Sequence, residues 1–239
     1  MRGHAGNGQN PLVKVRQLQR KLYVCAKQSR TRRFHALYDR IYRSDVLWEA
    51  WRPVRSNGGA AGVDAESIQA IEQRGPGEIL AEIQAALRAG RYRRSPVKRR
   101  YIPKADGKQR PLGIPTVTDR VAQMAAKIVM EPIFEADFQP CSYGFRPKKS
   151  AQQALEAIRV AGNQGHNFVV DADIQGYFDN IQRETLMELV KERISDRRVQ
   201  KLIRQGLEAG VMEDGSVRET PVGTPQGGVI SPSCWPTST

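Results

Sequence analysis

The chain has 239 residues, enough for one large hydrophobic core or two small ones, and carries a formal net charge of +13. Its three cysteines are far apart and form no CxxC or Cys/His pattern, which argues against a disulfide framework and a structural zinc site. No signal peptide is evident, and no apolar run approaches the ~20 residues of a membrane span, so we expect a cytoplasmic protein with no membrane partner.

The first part of the chain has the apolar spacing of helices. Residues 1–11 are rich in Gly and Asn, and we expect them to be disordered. A short helix is expected to begin after Asp64 or Ser67, because both residues are common helix caps. The other helices predicted in this part are 12–26, 33–42, 45–51 and 77–89.

The pattern then changes to alternation, which is typical of strands. Residues 97–102 and 109–114 are predicted to pair in a hairpin around Asp106-Gly107, and residues 211–217 form a second hairpin with an Asp-Gly turn. Residues 167–174 predict a buried strand, because Phe168, Val169 and Val170 form an apolar run before Asp171.

Helical spacing returns between the two hairpins. One long helix is predicted from Thr118, and a second is predicted to be capped by Ser150, with Leu155 and Ile158 facing inward. Two further helices are predicted at 183–194 and 199–207. Helices mixed with hairpins and a single apolar strand indicate an α+β fold rather than a doubly wound sheet.

Positive charge is concentrated in two blocks. Residues 1–60 carry 13 Lys or Arg against 3 Asp or Glu, and residues 91–110 carry 9 against 1. Arg outnumbers Lys in both blocks, and guanidinium groups pair with phosphate in a bidentate manner. The blocks indicate a nucleic-acid partner, with a solvated basic face as the alternative. The candidate RNA-binding residues are Arg16, Arg20, Lys21, Arg30, Arg32, Arg33, Arg93, Arg94, Arg99 and Arg100.

Two aspartates follow the apolar part of the predicted buried strand. Side chains alternate along a strand, so Asp171 and Asp173 are expected to share one face. A carboxylate that emerges from a buried strand is costly to desolvate unless a cation meets it. Mg²⁺ bound by carboxylates and substrate phosphates would satisfy this need. The alternative is an aspartate that caps the next turn or pairs with an arginine.

Two other segments have features of a nucleotide site. The first predicted hairpin carries Lys104, Lys108 and Arg110 around its tip, where they would close over a triphosphate or bind RNA phosphates without catalysis. Gln226 stands next to two glycines in residues 220–232, and glycines let a nucleotide or another backbone approach closely.

These three segments, in this order, resemble the reverse transcriptase domain of group II intron-encoded proteins, the intron maturases. The front segment, 33–64, is also similar to the bacterial members, and the resemblance spans about 13–232. Its motifs are Arg110-Pro111-Leu112-Gly113-Ile114-Pro115 with Asp119-Arg120, Ser142-Tyr143-Gly144-Phe145-Arg146-Pro147, Asp171-Ala172-Asp173-Ile174 with Phe178-Asp179-Asn180, and Thr224-Pro225-Gln226-Gly227-Gly228. The last two motifs look like polymerase motifs A and B.

The resemblance implies a right-hand polymerase. It divides the chain into an N-terminal basic helical segment (12–62), the fingers (63–166) and a partial palm (167–232). The expected activity is RNA-directed DNA synthesis, with Mg²⁺ as cofactor. The expected partners are intron RNA or an RNA template-primer, and dNTP.

The resemblance also implies roles for individual residues. Asp173 would be the first catalytic carboxylate and a metal ligand, together with the backbone carbonyl of Ile174. Phe178 would lie under the sugar of the incoming nucleotide, core packing being the other interpretation of this residue. The remaining nucleotide-binding residues would be Lys104, Arg110, Pro225 and Gln226.

The sequence departs from the family pattern after Pro232. Family members continue with a helix that reads roughly Leu-Leu-Ala-Asn-Ile-Tyr-Leu, and codons for that helix, read one base late, encode Cys-Trp-Pro-Thr-Ser-Thr. We therefore expect residues 233–239 to be an out-of-frame tail. The family's Tyr-Ala-Asp-Asp tetrad, which supplies further metal ligands, is not in this sequence, so we expect no polymerase activity from this chain alone. The alternatives are a non-catalytic RNA-binding or maturase fragment and an unstable remnant.

Overall fold

The computed structural model describes residues 10–103, 107, 109–174, 180–213 and 215–218. The helices in these ranges are α1 (Pro11–Gln28), α2 (Tyr38–Ile41), α3 (Ser44–Asn57), α4 (Ile68–Arg74), α5 (Pro76–Arg88), α6 (Val117–Glu135), α7 (Ala151–Asn163), α8 (Arg183–Arg193) and α9 (Arg197–Leu207). The strands are β1 (Val97–Pro103), β2 (Gln109–Ile114), β3 (Val211–Glu213) and β4 (Ser216–Arg218). The fold is α+β, as predicted.

Helix α6 is the centre of the hydrophobic core. It is apolar on nearly all sides, and α1 and α3 pack against it. Val121, Ala125 and Ile133 are completely buried, and the small alanines allow the neighbouring helices to approach closely. Full burial of a side chain such as Ile133 contributes about 1.5–3 kcal/mol. The same core includes residues of α1 and of α9.

The predicted helix 33–42 is wrong over its first half, because only α2 is helical there. The backbone of Phe34 pairs instead with the segment after α8, donating to the carbonyl of Arg193 (2.8 Å) and accepting from the N–H of Ser195 (2.9 Å). Further along the chain, the backbone N–H groups of Leu37 and Tyr38 both donate to the carboxylate of Asp196 at 2.9 Å. These long-range hydrogen bonds replace the helical ones.

Both predicted hairpins are confirmed, and they form one sheet of order β2-β1-β3-β4. The two strands of each hairpin are antiparallel, whereas β1 and β3 pair in parallel with Val97 opposite Val211. The parallel pairing joins segments more than one hundred residues apart, so no local sequence pattern predicts it.

The predicted buried strand 167–174 is wrong. These residues have no regular secondary structure, and Phe168 and Val170 are 98% and 93% exposed. A strand needs a neighbour for its backbone hydrogen bonds, and none of the strands in the described ranges pairs with this segment. The preceding α7 also differs from the prediction, since Leu155 and Ile158 are 66% and 64% exposed. Local capping nevertheless forms α7, because Ser150 and Gln153 make the reciprocal bonds of a capping box.

The described helices are also too short or too polar for a membrane span: none of them is long and apolar enough to cross one.

Candidate nucleic-acid interface

The basic residues predicted in the N-terminal block are all exposed. Arg16, Arg20 and Lys21 lie on α1, whose buried residues pack on the core. Arg30, Arg32 and Arg33 follow in the loop after α1, where the guanidinium of Arg32 lies 5.6 Å from the centroid of the Phe34 ring. This block therefore presents its cations to solvent, as a phosphate-binding surface requires.

The loop after α1 is held in place by a buried arginine of α8. Arg193 donates to the carbonyls of Ala26 and Ser29, each at 3.1 Å, and to that of Arg30. Its Nε also pairs with the carboxylate of Asp137 at 3.0 Å. Burial raises the pKa of Asp137, and the nearby cations, led by Arg193, oppose that rise. The exposed arginines of the loop thus stand on a fixed backbone.

The β1–β2 hairpin places its basic residues on two opposite faces. Ile102 lies opposite Arg110 and Arg100 opposite Leu112, so alternation puts Arg100 and Arg110 on the same face. Arg99 lies on the other face together with Tyr101, whose hydroxyl donates to a carboxylate oxygen of Glu213 at 2.5 Å. Arg100 is exposed, and Arg99 is half-buried. The structure thus separates two residues that the sequence grouped together.

The segment before β1 separates Arg93 from Arg94 in the same way. Arg93 is exposed, and its Nη1 donates to the carbonyls of Gly90 (3.3 Å) and Tyr92 (3.0 Å). Arg94 is half-buried with its guanidinium lying against Gly206 of α9. A side chain at position 206 would have to displace this guanidinium, so Arg94 contributes to packing between this segment and α9.

Asp119, at the start of α6, stabilises the segment that precedes β1. It is 2% exposed, accepts from the hydroxyl of Tyr92 at 2.5 Å and accepts from the N–H of Ser95 at 3.1 Å. Burial, reinforced by the negative charge of Asp119, raises the pKa of Tyr92 well above its ordinary value. The motif residue Asp119 therefore has a structural role in this chain.

Its neighbour Arg120 fixes the loop that follows α3. The guanidinium donates to the carbonyls of Pro115 (3.2 Å), Gly58 (3.0 Å) and Ala60. Gly62 in the same loop lies so close to α6 that a Cβ there would be 2.6 Å from the Cα of Thr116. The loop at residues 58–62 therefore packs directly against the start of α6, where the Asp119-Arg120 motif lies.

Arg146 organises the motif that precedes α7. It pairs with Glu135 at 2.7 Å and donates to the carbonyls of Gln139 (2.8 Å) and Ser142 (2.6 Å). Its guanidinium lies 4.8 Å from the centroid of the Phe138 ring. These contacts stabilise the loop after α6, so Arg146 of the motif has a structural role in this chain.

The candidate catalytic residue Asp173 lies in the exposed segment 167–174, and so do Asp171 and Ile174. The shared strand face that was predicted for the two aspartates is not formed. Within the described ranges, no group of three or more His, Cys, Asp or Glu residues could hold a metal ion. A two-metal centre needs more ligands than Asp171, Asp173 and the carbonyl of Ile174. The described residues therefore do not fit a complete magnesium site.

Four of the predicted nucleotide-binding residues lie outside the described residues, namely Lys104, Phe178, Pro225 and Gln226. The predicted disordered start over 1–9 and the predicted tail at 233–239 also lie outside them. Arg110 is described and is exposed on β2.

Asp196 and Arg193 are important residues that sequence reasoning missed. Asp196 caps α9 by accepting from the N–H groups of Arg198 (3.0 Å) and Val199 (3.3 Å), and it also receives the two N–H groups from α2. Burial alone would raise the pKa of Asp196, but these four bonds hold it below its ordinary value. The position of Asp196 before a helical run was a usable capping signal. No local signal marks Arg193.

Comparison with known proteins gives a consistent result. The family described as "Reverse transcriptase (RNA-dependent DNA polymerase)" matches residues 102–238. Protein YkfC of Escherichia coli K12 is 38% identical over 227 residues, which cover 91% of this chain and 58% of that protein. Group II intron-encoded protein LtrA of Lactococcus lactis subsp. cremoris is 38% identical over 202 residues, covering 83% of this chain and 33% of LtrA.

The fold is also similar to solved structures. A chain of a partial Cas6-RT-Cas1–Cas2 complex aligns with a TM-score of 0.55 and 25% identity, covering 83% of this chain and 33% of that chain. In each of these comparisons the present chain spans less than two thirds of the other protein's length.

Proposed function

Because this chain belongs to the reverse transcriptase (RNA-dependent DNA polymerase) family, we propose that it forms the fingers and part of the palm of a group II intron-encoded RNA-directed DNA polymerase. The observation that carries the proposal is the family match over 102–238, more than half of the chain. The fingers are assigned to 63–166, the partial palm to 167–232 and an RNA-binding helical segment to 12–62. The proposed site of action is the cytoplasm.

The proposed substrates are an RNA template-primer or intron RNA, and dNTP. The exposed cations of α1 and of the loop after it support RNA binding, because sequence-independent affinity for nucleic acid comes mainly from contacts to phosphates. On the hairpin, Arg100 and Arg110 share a face and are proposed to meet phosphate there. Arg99 and Arg94 are less suited, since both are half-buried.

The nucleotide site is proposed from the motifs. Asp173 and the carbonyl of Ile174 would bind a divalent cation. Mg²⁺ is proposed because it prefers oxygen ligands and is commonly bound by carboxylates together with the phosphates of the substrate. When bound, such an ion supplies charge stabilisation at the phosphates. Phe178 would select against a 2′-hydroxyl by its bulk. The residues proposed to contact the nucleotide elsewhere are Lys104, Arg110, Pro225 and Gln226.

The second candidate function is a non-catalytic RNA-binding or maturase role. The favouring observation is the set of exposed cations on α1 and on the loop after it, which can bind RNA without any chemistry at Asp173. The two functions share one RNA surface and differ only in the chemistry at Asp173.

One pair of assays separates these functions. The 239-residue chain should bind single-stranded RNA with a log–log salt slope of about −0.7 for each phosphate contacted, and charge reversal of Arg30, Arg32 and Arg33 should weaken binding at least about tenfold. In a protein that carries this chain together with the family's Tyr-Ala-Asp-Asp segment, primer extension on RNA should be present. Asp173→Ala in that protein should abolish extension while leaving RNA affinity unchanged. Extension that survives Asp173→Ala refutes the catalytic assignment, and salt-independent binding refutes the RNA surface.

A further inference from the structure

A small basic cleft lies between α2, the segment before β1, and α9. Three of the residues that line it are cations, namely Arg93, Arg198 and Lys201, and Tyr38 and Tyr92 form aromatic walls. No lining residue is acidic. Arg198 and Lys201 stand one turn apart on α9, so the helix directs both to the same side.

Two of the three cations of this cleft, Arg93 and Arg198, are held by contacts with the surrounding protein. The guanidinium of Arg198 lies 4.9 Å from the centroid of the Tyr38 ring, and the Tyr38 hydroxyl is fixed by donating to the carbonyl of Leu87 at 2.9 Å. Arg93 is fixed by its bonds to the carbonyls of Gly90 and Tyr92. Side chains that are already ordered lose less entropy when they bind a ligand.

The two carboxylates near the cleft direct their oxygens to other groups, since Asp119 accepts from Tyr92 and Ser95 while Asp196 accepts from backbone N–H groups. Within the parts of the chain that the structure describes, no ion pair joins a carboxylate to Arg93, Arg198 or Lys201. Arg204, one turn further along α9, differs in this respect because it pairs with Glu184 at 2.6 Å. Like charges gathered in one cleft repel each other, and an anion relieves that repulsion.

The size of the cleft restricts which anion it takes. Its volume is about 100 Å³, whereas sites for small organic ligands measure roughly 300–1,000 Å³. A whole nucleotide is therefore excluded, while a single phosphate group fits an opening lined by guanidinium and ammonium groups. A phosphate that belongs to a strand can enter from the open side while the strand continues over the surface.

We propose that the cleft formed by Arg93, Arg198, Lys201 and Tyr38 binds one backbone phosphate of the RNA strand. The inference rests on the proposed RNA-binding function and adds a site on α9 to it. It extends the RNA surface from the basic block of residues 91–110 to a helix whose sequence gave no separate indication of RNA binding.

Matched variants of the 239-residue chain test this site. Arg198→Gln with Lys201→Gln removes two charges from the cleft, and Arg197→Gln with Lys191→Gln removes two charges from outside it. RNA affinity is measured by fluorescence anisotropy with a short single-stranded RNA at several salt concentrations. We expect the cleft variant to lose about tenfold in affinity and about 0.7 in salt slope, and the control variant to lose much less. Arg198→Lys, which keeps the charge, should retain most of the affinity.

Chemical footprinting provides a second readout at the site. Acetylation of lysines by an amine-reactive reagent, followed by mass spectrometry, should show Lys201 protected by the RNA and Lys191 unprotected. Equal losses in the two double variants, or full reactivity of Lys201 in the RNA complex, would overturn the proposal while leaving RNA binding intact. Protection of Lys201 by inorganic phosphate alone, at the phosphate concentration of the RNA, would identify a free-anion pocket and overturn it as well. Failure of the unmodified chain to bind RNA would instead refute the proposed function and this site together.

Discussion

Replacement of Arg193 by alanine tests the buried contact that joins α1, the loop after α6, and α8. The side chains of Arg193 and Asp137 are 6% and 19% exposed and pair at 3.0 Å. Removing one partner of a buried pair costs about 3–5 kcal/mol, because the other charge stays buried without compensation. Asp137 keeps some access to water, so we expect about 3–4 kcal/mol.

The measurement is urea unfolding followed by circular dichroism at neutral pH. Folded domains are stable by only about 5–15 kcal/mol, so the variant should still fold, with a midpoint lowered by on the order of 1 M urea. Amide exchange in the last turn of α1 should also accelerate, since the carbonyls of Ala26 and Ser29 lose their donor.

Two comparisons make the test specific. Arg204→Ala breaks an exposed pair with Glu184 and should leave the midpoint nearly unchanged. Arg193→Met combined with Asp137→Leu removes both charges together and should recover much of the loss, because no unpaired charge remains. If Arg193→Ala is as mild as Arg204→Ala, the reasoning about this contact is wrong.

Two further substitutions test other contacts of the fold. Asp196→Ala should destabilise the chain by about 2–4 kcal/mol, because four backbone N–H groups lose their acceptor. The folded-state pKa of Asp196 lies below its ordinary 3.8, so its contribution is complete at neutral pH and is lost as the pH falls through that lowered pKa. The difference in unfolding free energy between the unmodified chain and Asp196→Asn should therefore shrink only in acid, and a difference that persists undiminished there would contradict this account. Gly62→Ala should destabilise by about 1–3 kcal/mol, since its Cβ meets the backbone of Thr116, whereas Gly162→Ala in α7 meets nothing within 4 Å and should stabilise by about 0.5–1 kcal/mol. Thermal melts of the two glycine variants decide this, and equal melting temperatures would refute the contact.

The candidate site was predictable to the extent that its chemistry is local. The exposed cations of α1 follow from charge and helical spacing, and the hairpin follows from alternation around an Asp-Gly turn. Asp173 was found by motif, but its predicted setting in a buried strand was wrong. Arg198 and Lys201 were not singled out, because only the packing of α9 against Tyr38 makes them part of one cleft.

The sequence by itself determined the elements that are stabilised within a few residues. The cap at Ser150, the apolar stripe of α1 and the antiparallel pairings within both hairpins act locally, and each appears where it was predicted. Tertiary structure decided the rest. Phe34 is not helical because its backbone forms hydrogen bonds with Arg193 and Ser195, which are distant in the sequence. Phe168 to Val170 do not form a strand because no described strand pairs with them. Helices satisfy their backbone hydrogen bonds internally, whereas strands and buried ionic contacts depend on partners far away in the sequence.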